Sequence, residues 1–99
     1  MSFTEVSIDI VENGCRAAIA SIEKKRDRLR AEHDAQPWWR RDSWDRRAIG
    51  VIHGRQEYTC ERLLDLCALA RSGGKDCVKV SADDAECFVG YLTPLTPDN

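Results

Sequence analysis

The three tryptophans of this chain lie between positions 38 and 44, and four arginines accompany them. Tryptophan offers a large apolar contact area, and arginine donates paired hydrogen bonds to carboxylates and phosphates. Both residue types are enriched among the side chains that dominate binding energy at interfaces. This Trp-Arg cluster is therefore the candidate partner-binding site, and it comprises Trp38, Trp39, Arg40, Arg41, Trp44, Arg46 and Arg47.

A protein partner, a nucleic acid and a purely structural role are the three explanations of the Trp-Arg cluster. Arginines with aromatic neighbours can bind phosphates and stack on bases. Against nucleic acid stand the net charge of −2, the repulsive Asp42 and Asp45, and the lack of a zinc-finger or ribonucleoprotein motif. In the structural alternative, the tryptophans pack on the first turn of the next helix and close a helical hairpin. A protein partner is favoured.

Catalytic motifs are missing from the sequence. The only histidines are His33 and His53, and no nucleophile elbow, phosphate-binding glycine loop or metalloprotease helix accompanies them. The acidic residues Asp83, Asp84 and Glu86 fall where the first turn of a helix would favour negative charge, without any acid–base role. The sequence predicts a protein that is not an enzyme.

The cysteines are five in number and form no C-x-x-C pair. Zinc sites usually need closely paired ligands, so buried free thiols are favoured and no metal or cofactor is expected. The start of the chain has no secretory signal, and no apolar run is long enough to span a membrane. These features predict a cytoplasmic protein with reduced thiols and no membrane association. The cysteines are Cys15, Cys60, Cys67, Cys77 and Cys87.

The first third of the chain predicts a short strand followed by a long helix. Alternation over residues 3–8 is typical of a half-buried strand. A helix is expected from Ile10 to His33, with Asp9 as its N-cap. Because the stretch after Ile22 is mostly charged, we expect the helix to leave the core there and project into solvent. Its apolar face comprises Val11, Cys15, Ala18, Ile22 and Leu29.

The rest of the chain predicts a second long helix, a second strand and a third helix. The second helix is expected to begin after Asp42 or Ser43 and to end near Arg71. Within it, Gly50 and Gly54 either permit close helix packing or mark a kink. The second strand covers residues 77–80, and the third helix covers residues 82–92 with Ser81 as N-cap. Residues 93–99 are expected to form a loose tail. The apolar face of the second helix comprises Ile49, Ile52, Gln56, Thr59, Leu63, Leu66 and Ala70, widened by Cys60, Leu64 and Cys67.

These elements define an α+β fold that is mostly α, with the order β-α-α-β-α in a single domain over residues 1–99. Two long helices form an antiparallel hairpin, and the second strand pairs antiparallel with the first. The helices are longer than a two-stranded ribbon. The Trp-Arg cluster is therefore expected at the hairpin tip, away from the sheet.

The function expected from these features is that of a non-enzymatic protein-binding module, either an adaptor or a small inhibitor. Small inhibitors from phages and mobile elements, including the anti-CRISPR kind, often have this size and lack of motifs, which is an analogy at the level of class. A structural homo-oligomer without an exposed site is the alternative. We expect a homodimer in preference to a monomer, formed through strand edges or as a four-helix bundle.

Overall fold

The computed structural model describes residues 2–40 and 43–92, with only the backbone for residues 43–46. It confirms the mostly helical α+β class and the β-α-α-β-α order, with the second helical arm divided in two. The elements are β1 (Phe3–Ser7), α1 (Ile8–Asp34), α2 (Ser43–Gly50), α3 (Gly54–Ser72), β2 (Cys77–Ser81) and α4 (Ala82–Glu86). A 3-10 turn (Trp38–Arg40) follows α1, and another (Val89–Tyr91) follows α4.

The two strands form one antiparallel sheet, as predicted. Val6 is directly opposite Val78, and Thr4 is opposite Val80, so these four side chains share one face of the sheet. Val80 is buried and the other valines are partly buried against the helices. The sheet is therefore covered on this face by the helical layer, which a two-stranded ribbon needs for stability.

The main core lies at the sheet end of the molecule, where α1 and α3 pack together beneath the strands. Cys15, Cys60 and Cys67 have no exposed surface, which confirms them as buried thiols. The polar side chain of Gln56 also contributes to this end of the molecule. Its amide nitrogen donates to the Cys87 carbonyl at 2.8 Å and so joins α3 to the segment after α4. The core cluster comprises Ile8, Val11, Cys15, Ala18, Cys60, Leu63, Cys67, Val80 and Phe88.

The first helix begins earlier than predicted, because its first residue is still part of the strand ladder. The Ile8 amide donates to the Asp76 carbonyl at 2.9 Å, so β1 passes directly into α1. Ser7 is the N-cap residue and makes no side-chain capping bond, so the predicted Asp9 cap is wrong. Asp9 instead pairs with Arg71 of α3 at 3.1 Å.

The expectation that α1 leaves the core after Ile22 is wrong. Arg26, one helical turn further, is only 7% exposed and Leu29 is partly buried. Ile49 of α2 is buried as well, so this half of α1 is also covered by other elements. The long charged run misled the prediction because one of its charged side chains faces inward.

The second helical arm is interrupted, which decides between the alternatives for the glycine pair. Helix α2 ends at Gly50, and α3 begins at Gly54 after a turn in which His53 is left-handed with φ 57°. Nothing lies within 4 Å of a Cβ added at Gly54. The glycines therefore flank a break and do not serve close packing. The predicted inward position of Leu66 is also wrong, because this side chain is 39% exposed.

The third predicted helix is shorter than expected. Helix α4 ends at Glu86, and the rest of the predicted span contains only a 3-10 turn. The predicted cap is confirmed, since the Ser81 hydroxyl accepts from the Asp84 amide at 3.2 Å. The predicted tail at residues 93–99 lies outside the described residues. Within residues 2–40 and 43–92, no helix has the length and apolar character needed to cross a membrane.

Candidate partner-binding site

The Trp-Arg cluster begins where α1 stops. The Ala35 amide still donates to the Ala31 carbonyl at 3.0 Å, and Pro37 follows two residues later. Proline cannot continue a helix, and it disfavours helical backbone in the residue before it. The chain turns here, and the Arg40 amide closes a 3-10 turn on the Pro37 carbonyl at 2.9 Å. The turn places the two adjacent tryptophans between the ends of α1 and α2.

Both tryptophans of this turn are on the surface. Trp38 is 76% exposed and Trp39 is 69% exposed. Their ring centroids are 5.9 Å apart with an interplanar angle of 88°, an edge-to-face arrangement that aromatic pairs favour. The pair orders the two rings against each other while leaving most of their surface uncovered. The structural alternative required the tryptophans to pack on the next helix and close the hairpin, and Trp38 and Trp39 are too exposed to do so.

The arginines of the cluster that can be placed are exposed as well. Arg40 lies in the 3-10 turn and Arg47 lies in the last turn of α2. Within the described part of the chain, neither side chain forms an ion pair. Arg41 lies outside the described residues. Trp44 and Arg46 belong to α2, and nothing is described of their side chains.

A buried arginine holds the break between α2 and α3. We call this place, with Arg26, Glu57 and the turn at residues 51–53, the corner. The Arg26 guanidinium donates to both Glu57 carboxylate oxygens, at 3.0 and 2.9 Å. Its Nη2 and Nε atoms also donate to the Ile52 carbonyl, at 2.7 and 3.2 Å. In a continuous helix that carbonyl would accept from the residue four positions on, and the break at His53 removes that donor. Arg26 therefore satisfies the orphaned carbonyl and joins α1 to both sides of the break.

Sequence reasoning missed Arg26, although a signal was present. The residue continues the inward spacing of the α1 apolar face, four positions after Ile22. An arginine there predicts either an interrupted apolar face or an inward side chain with a buried acceptor. Choosing between them requires knowing that Glu57 and the Ile52 carbonyl lie opposite, and these are about thirty positions away along the chain.

Two of the remaining polar groups, Asp84 and His33, lie against another polar side chain of the protein. Asp84 accepts from Arg62 at 2.6 Å and lies in the first turn of α4, where the helix dipole favours it. His33 lies beside Asp34, with 3.2 Å between the Nδ1 and Oδ1 atoms. His53 is exposed and its left-handed backbone forms the helix break.

The thiols are poor nucleophiles in this environment. Burial raises the pKa of Cys15 far above its usual range, and the neighbouring Cys60 thiol raises it further. Burial is also the main cause that raises the pKa of Cys60 and of Cys67. A thiol must lose its proton to attack or to bind a metal, so these three side chains act as small apolar groups in the core.

No family model, no curated protein and no solved structure matches this chain.

Proposed function

We propose that this protein is a non-enzymatic protein-binding module, an adaptor or a small inhibitor, that contacts its partner through the Trp-Arg cluster. The single observation that carries the proposal is the exposure of Trp38 and Trp39, at 76% and 69%. Removing the apolar surface of two exposed tryptophans from water is favourable, and a partner that covers them would gain that free energy. Trp38, Trp39, Arg40 and Arg47 form the described part of the proposed surface. Arg41, Trp44 and Arg46 are its further proposed members.

The packing of the two rings also supports binding. Side chains that are already ordered lose less conformational freedom when a partner covers them. The two rings are packed edge to face, and the corner next to the cluster is anchored by Arg26, whose Nη1 atom donates to both Glu57 carboxylate oxygens. A prepared aromatic pair with adjacent guanidinium groups suits a protein surface that offers an apolar pocket bordered by carboxylates.

Nucleic acid is the second candidate partner, because the Trp-Arg cluster combines aromatic rings with arginines. Stacking on exposed tryptophans and contacts from arginine to phosphate would serve a single strand equally well. Binding of that kind falls steeply with salt concentration because counterions are released from the phosphates. A protein contact centred on the tryptophans would depend on salt much less.

Affinity capture with matched baits tests the proposal. The tagged full-length chain, the Trp38→Ala/Trp39→Ala double variant and a Val51→Ala control are each incubated with lysate from the native host, with and without nuclease. Val51 is 71% exposed and lies outside the cluster, so it controls for loss of exposed apolar surface. Quantitative mass spectrometry then compares the three captures.

We expect one protein to be enriched by the wild-type and Val51→Ala baits, to survive nuclease, and to be lost with the double variant. Capture that is abolished by nuclease would replace the protein partner with nucleic acid. A partner retained equally by all three baits would place the binding surface elsewhere on the molecule.

We also propose a cytoplasmic location. The five cysteines are all free in the structure, and three of them are fully buried, which suits a reducing compartment.

A further inference from the structure

We propose that a second copy of this chain pairs with the outer edge of β2 and packs against the adjoining side of α3, giving a dimer with a continuous four-stranded sheet. The proposal concerns the end of the molecule opposite to the Trp-Arg cluster and does not depend on the partner proposed there. It rests on three observations: an unpaired strand edge, exposed leucines beside it, and a rim that carries both signs of charge.

The strand register identifies the unpaired edge. In an antiparallel pair, opposite residues alternate between those that exchange hydrogen bonds and those whose backbone groups point outward. The bond from Ile8 to Asp76 fixes the phase of this alternation. Counting along the register, Cys77 and Lys79 of β2 point their N–H and C=O groups away from β1. Among the described residues, no hydrogen bond reaches these outward groups.

A groove runs beside this edge. It is lined by β2 and by the C-terminal half of α3, including Leu66, Leu69, Ala70 and Val78. Leu69 is 70% exposed and Leu66 is 39% exposed. A strand added to the β2 edge would lie over these side chains and cover them, as a helical layer is normally covered by the sheet above it.

The leucines lie on the flank of α3 that faces away from α1. On the other side of α3, Arg71 pairs with Asp9 and Glu12 of α1, at 3.1 and 2.5 Å. Leu69 is two residues from Arg71 and therefore lies about 160° around the helix from it. The α1 helix thus covers one flank of α3, and the opposite flank carries the exposed leucines. In the proposed dimer, the α3 helix of the second copy lies along this flank.

Charge on the rim favours a second copy over a partner of a single charge. The groove is bordered by two lysines, Lys75 and Lys79, and two acidic residues, Glu5 and Asp76. A two-fold interface brings the same patch together with itself, so a patch of one sign would repel its copy. Here Lys79 already lies opposite Glu5 in the sheet. A rim with equal numbers of positive and negative side chains does not repel the same rim on a second copy.

The charges also select the register of pairing. A two-fold axis at Lys79 would place two lysines directly opposite each other, which is unfavourable. An axis at Val78 instead places Cys77 opposite the Lys79 of the second copy, and it keeps the outward backbone groups of both strands in bonding positions. Leu66 and Leu69 line the same groove as Val78, so this axis brings the leucines of the two copies together.

Sedimentation equilibrium of the full-length chain in reductant, over about 1–100 µM, tests the proposal. We expect a mass twice the 11.2 kDa of one chain. Lys79→Pro removes one outward N–H of β2 and leaves the β1–β2 ladder intact, as proline at a strand edge does. The matched control is Phe3→Pro, which removes an outward N–H from β1 at a residue that does not line the groove. Lys79→Pro should weaken dimerisation at least tenfold, whereas Phe3→Pro should leave it unchanged.

A second pair of variants tests the helix side of the interface. Leu69→Asp should dissociate the dimer, and Val51→Asp should not, although both side chains are about equally exposed. Circular dichroism of each variant checks that the helices remain folded. A monomer at 100 µM, or a dimer that both Lys79→Pro and Leu69→Asp leave intact, would overturn the proposal.

The Trp-Arg cluster provides the last control. The Trp38→Ala/Trp39→Ala variant should remain a dimer, because these residues lie at the other end of the helices. A dimer that this variant dissociates would overturn the β2 interface and show that the tryptophans bind a second copy. A wild-type dimer that captures no partner would contradict only the proposed function.

Discussion

The sheet end and the corner end of the helical layer are held together by opposite kinds of chemistry. At the sheet end, Val11, Cys15, Leu63 and Phe88 are almost entirely buried and pack as an apolar core. At the corner end, the most informative buried group is charged: Arg26 holds Glu57 and a backbone carbonyl across the helix break.

The comparison shows how a small domain can order a region in which few apolar side chains are buried. Apolar burial is non-directional, so the sheet end could tolerate several similar packings. The Arg26 pair is directional, because a guanidinium matches a carboxylate and a carbonyl in only a few geometries. Arg26 thus joins α1 to both sides of the break between α2 and α3 in a defined geometry. The following predictions run from the largest expected effect to the smallest.

Phe88→Ala should have the largest effect on stability. The ring is 1% exposed and packs against α1, so its loss should lower the free energy of unfolding by about 3–5 kcal/mol. Urea denaturation followed by circular dichroism measures the change. Val89→Ala is the control, since that neighbour is 52% exposed and should change stability little. Equal losses in the two variants would mean that the sheet end is not the principal core.

Arg26→Ala should have the second largest effect, because it leaves the Glu57 carboxylate and the Ile52 carbonyl without a donor. Breaking a buried ion pair costs about 3–5 kcal/mol, and we expect the lower end because the Glu57 side chain is 24% exposed. The same denaturation experiment measures this loss. Lys25→Ala, at an exposed neighbouring position, is the matched control.

The double variant Arg26→Met/Glu57→Leu separates directional pairing from simple burial. If the pair matters mainly by avoiding unpaired charge, the double variant should be more stable than Arg26→Ala. The Ile52 carbonyl would still lack its donor, so stability should remain below that of the wild type. A double variant as stable as the wild type would show that the corner needs no polar contact.

Gly14→Ala should lower stability moderately at the sheet end. A Cβ at this position would lie 2.6 Å from the Phe88 ring and 3.0 Å from Leu92. Overpacking costs about 1–3 kcal/mol, and the better helix propensity of alanine offsets up to about 1 kcal/mol of that. Gly54→Ala, where nothing lies within 4 Å, should be neutral or stabilising. Thermal denaturation of both variants measures the change in stability. A loss for Gly14→Ala alone would show that the sheet end is tightly packed around Gly14.

Trp38→Ala should have the smallest effect on stability, less than about 0.5 kcal/mol. The side chain is 76% exposed and its ring packs edge to face on Trp39, so its removal takes little buried surface away. Differential scanning calorimetry measures the change. A loss comparable to that of Phe88→Ala would make the tryptophans a structural closure of the hairpin and remove the main support for the binding surface.

Much of the fold was predictable because its signals are local. The alternation in residues 3–8, the 3–4 spacing from Val11 to Ile22 and the Ser81 cap each act over a few positions. The antiparallel strand order followed from the hairpin, and the structure confirms it. Local signals failed at the ends of elements, where a distant partner intervenes: the Asp76 carbonyl extends the ladder into Ile8 and displaces the expected Asp9 cap.

The candidate site was only partly predictable from sequence. The Trp-Arg cluster is visible in composition, and Pro37 already indicates a turn. Its exposure was undecided, because the same residues could have packed on the next helix. Arg26 remained hidden, since its partners Glu57 and Ile52 come into reach only after the helix arm breaks and folds back.

The sequence by itself determined the order of elements, the inward apolar spacing from Val11 to Ile22 and the position of Trp38 and Trp39 in the turn after α1. Periodicity, capping residues and proline fix these features locally. The tertiary structure alone decided that the second helical arm breaks at His53, that Arg26 is buried and that Leu69 is exposed. Each of these outcomes depends on which side of a helix meets another element, and the sequence of one helix contains no information about its neighbour's position.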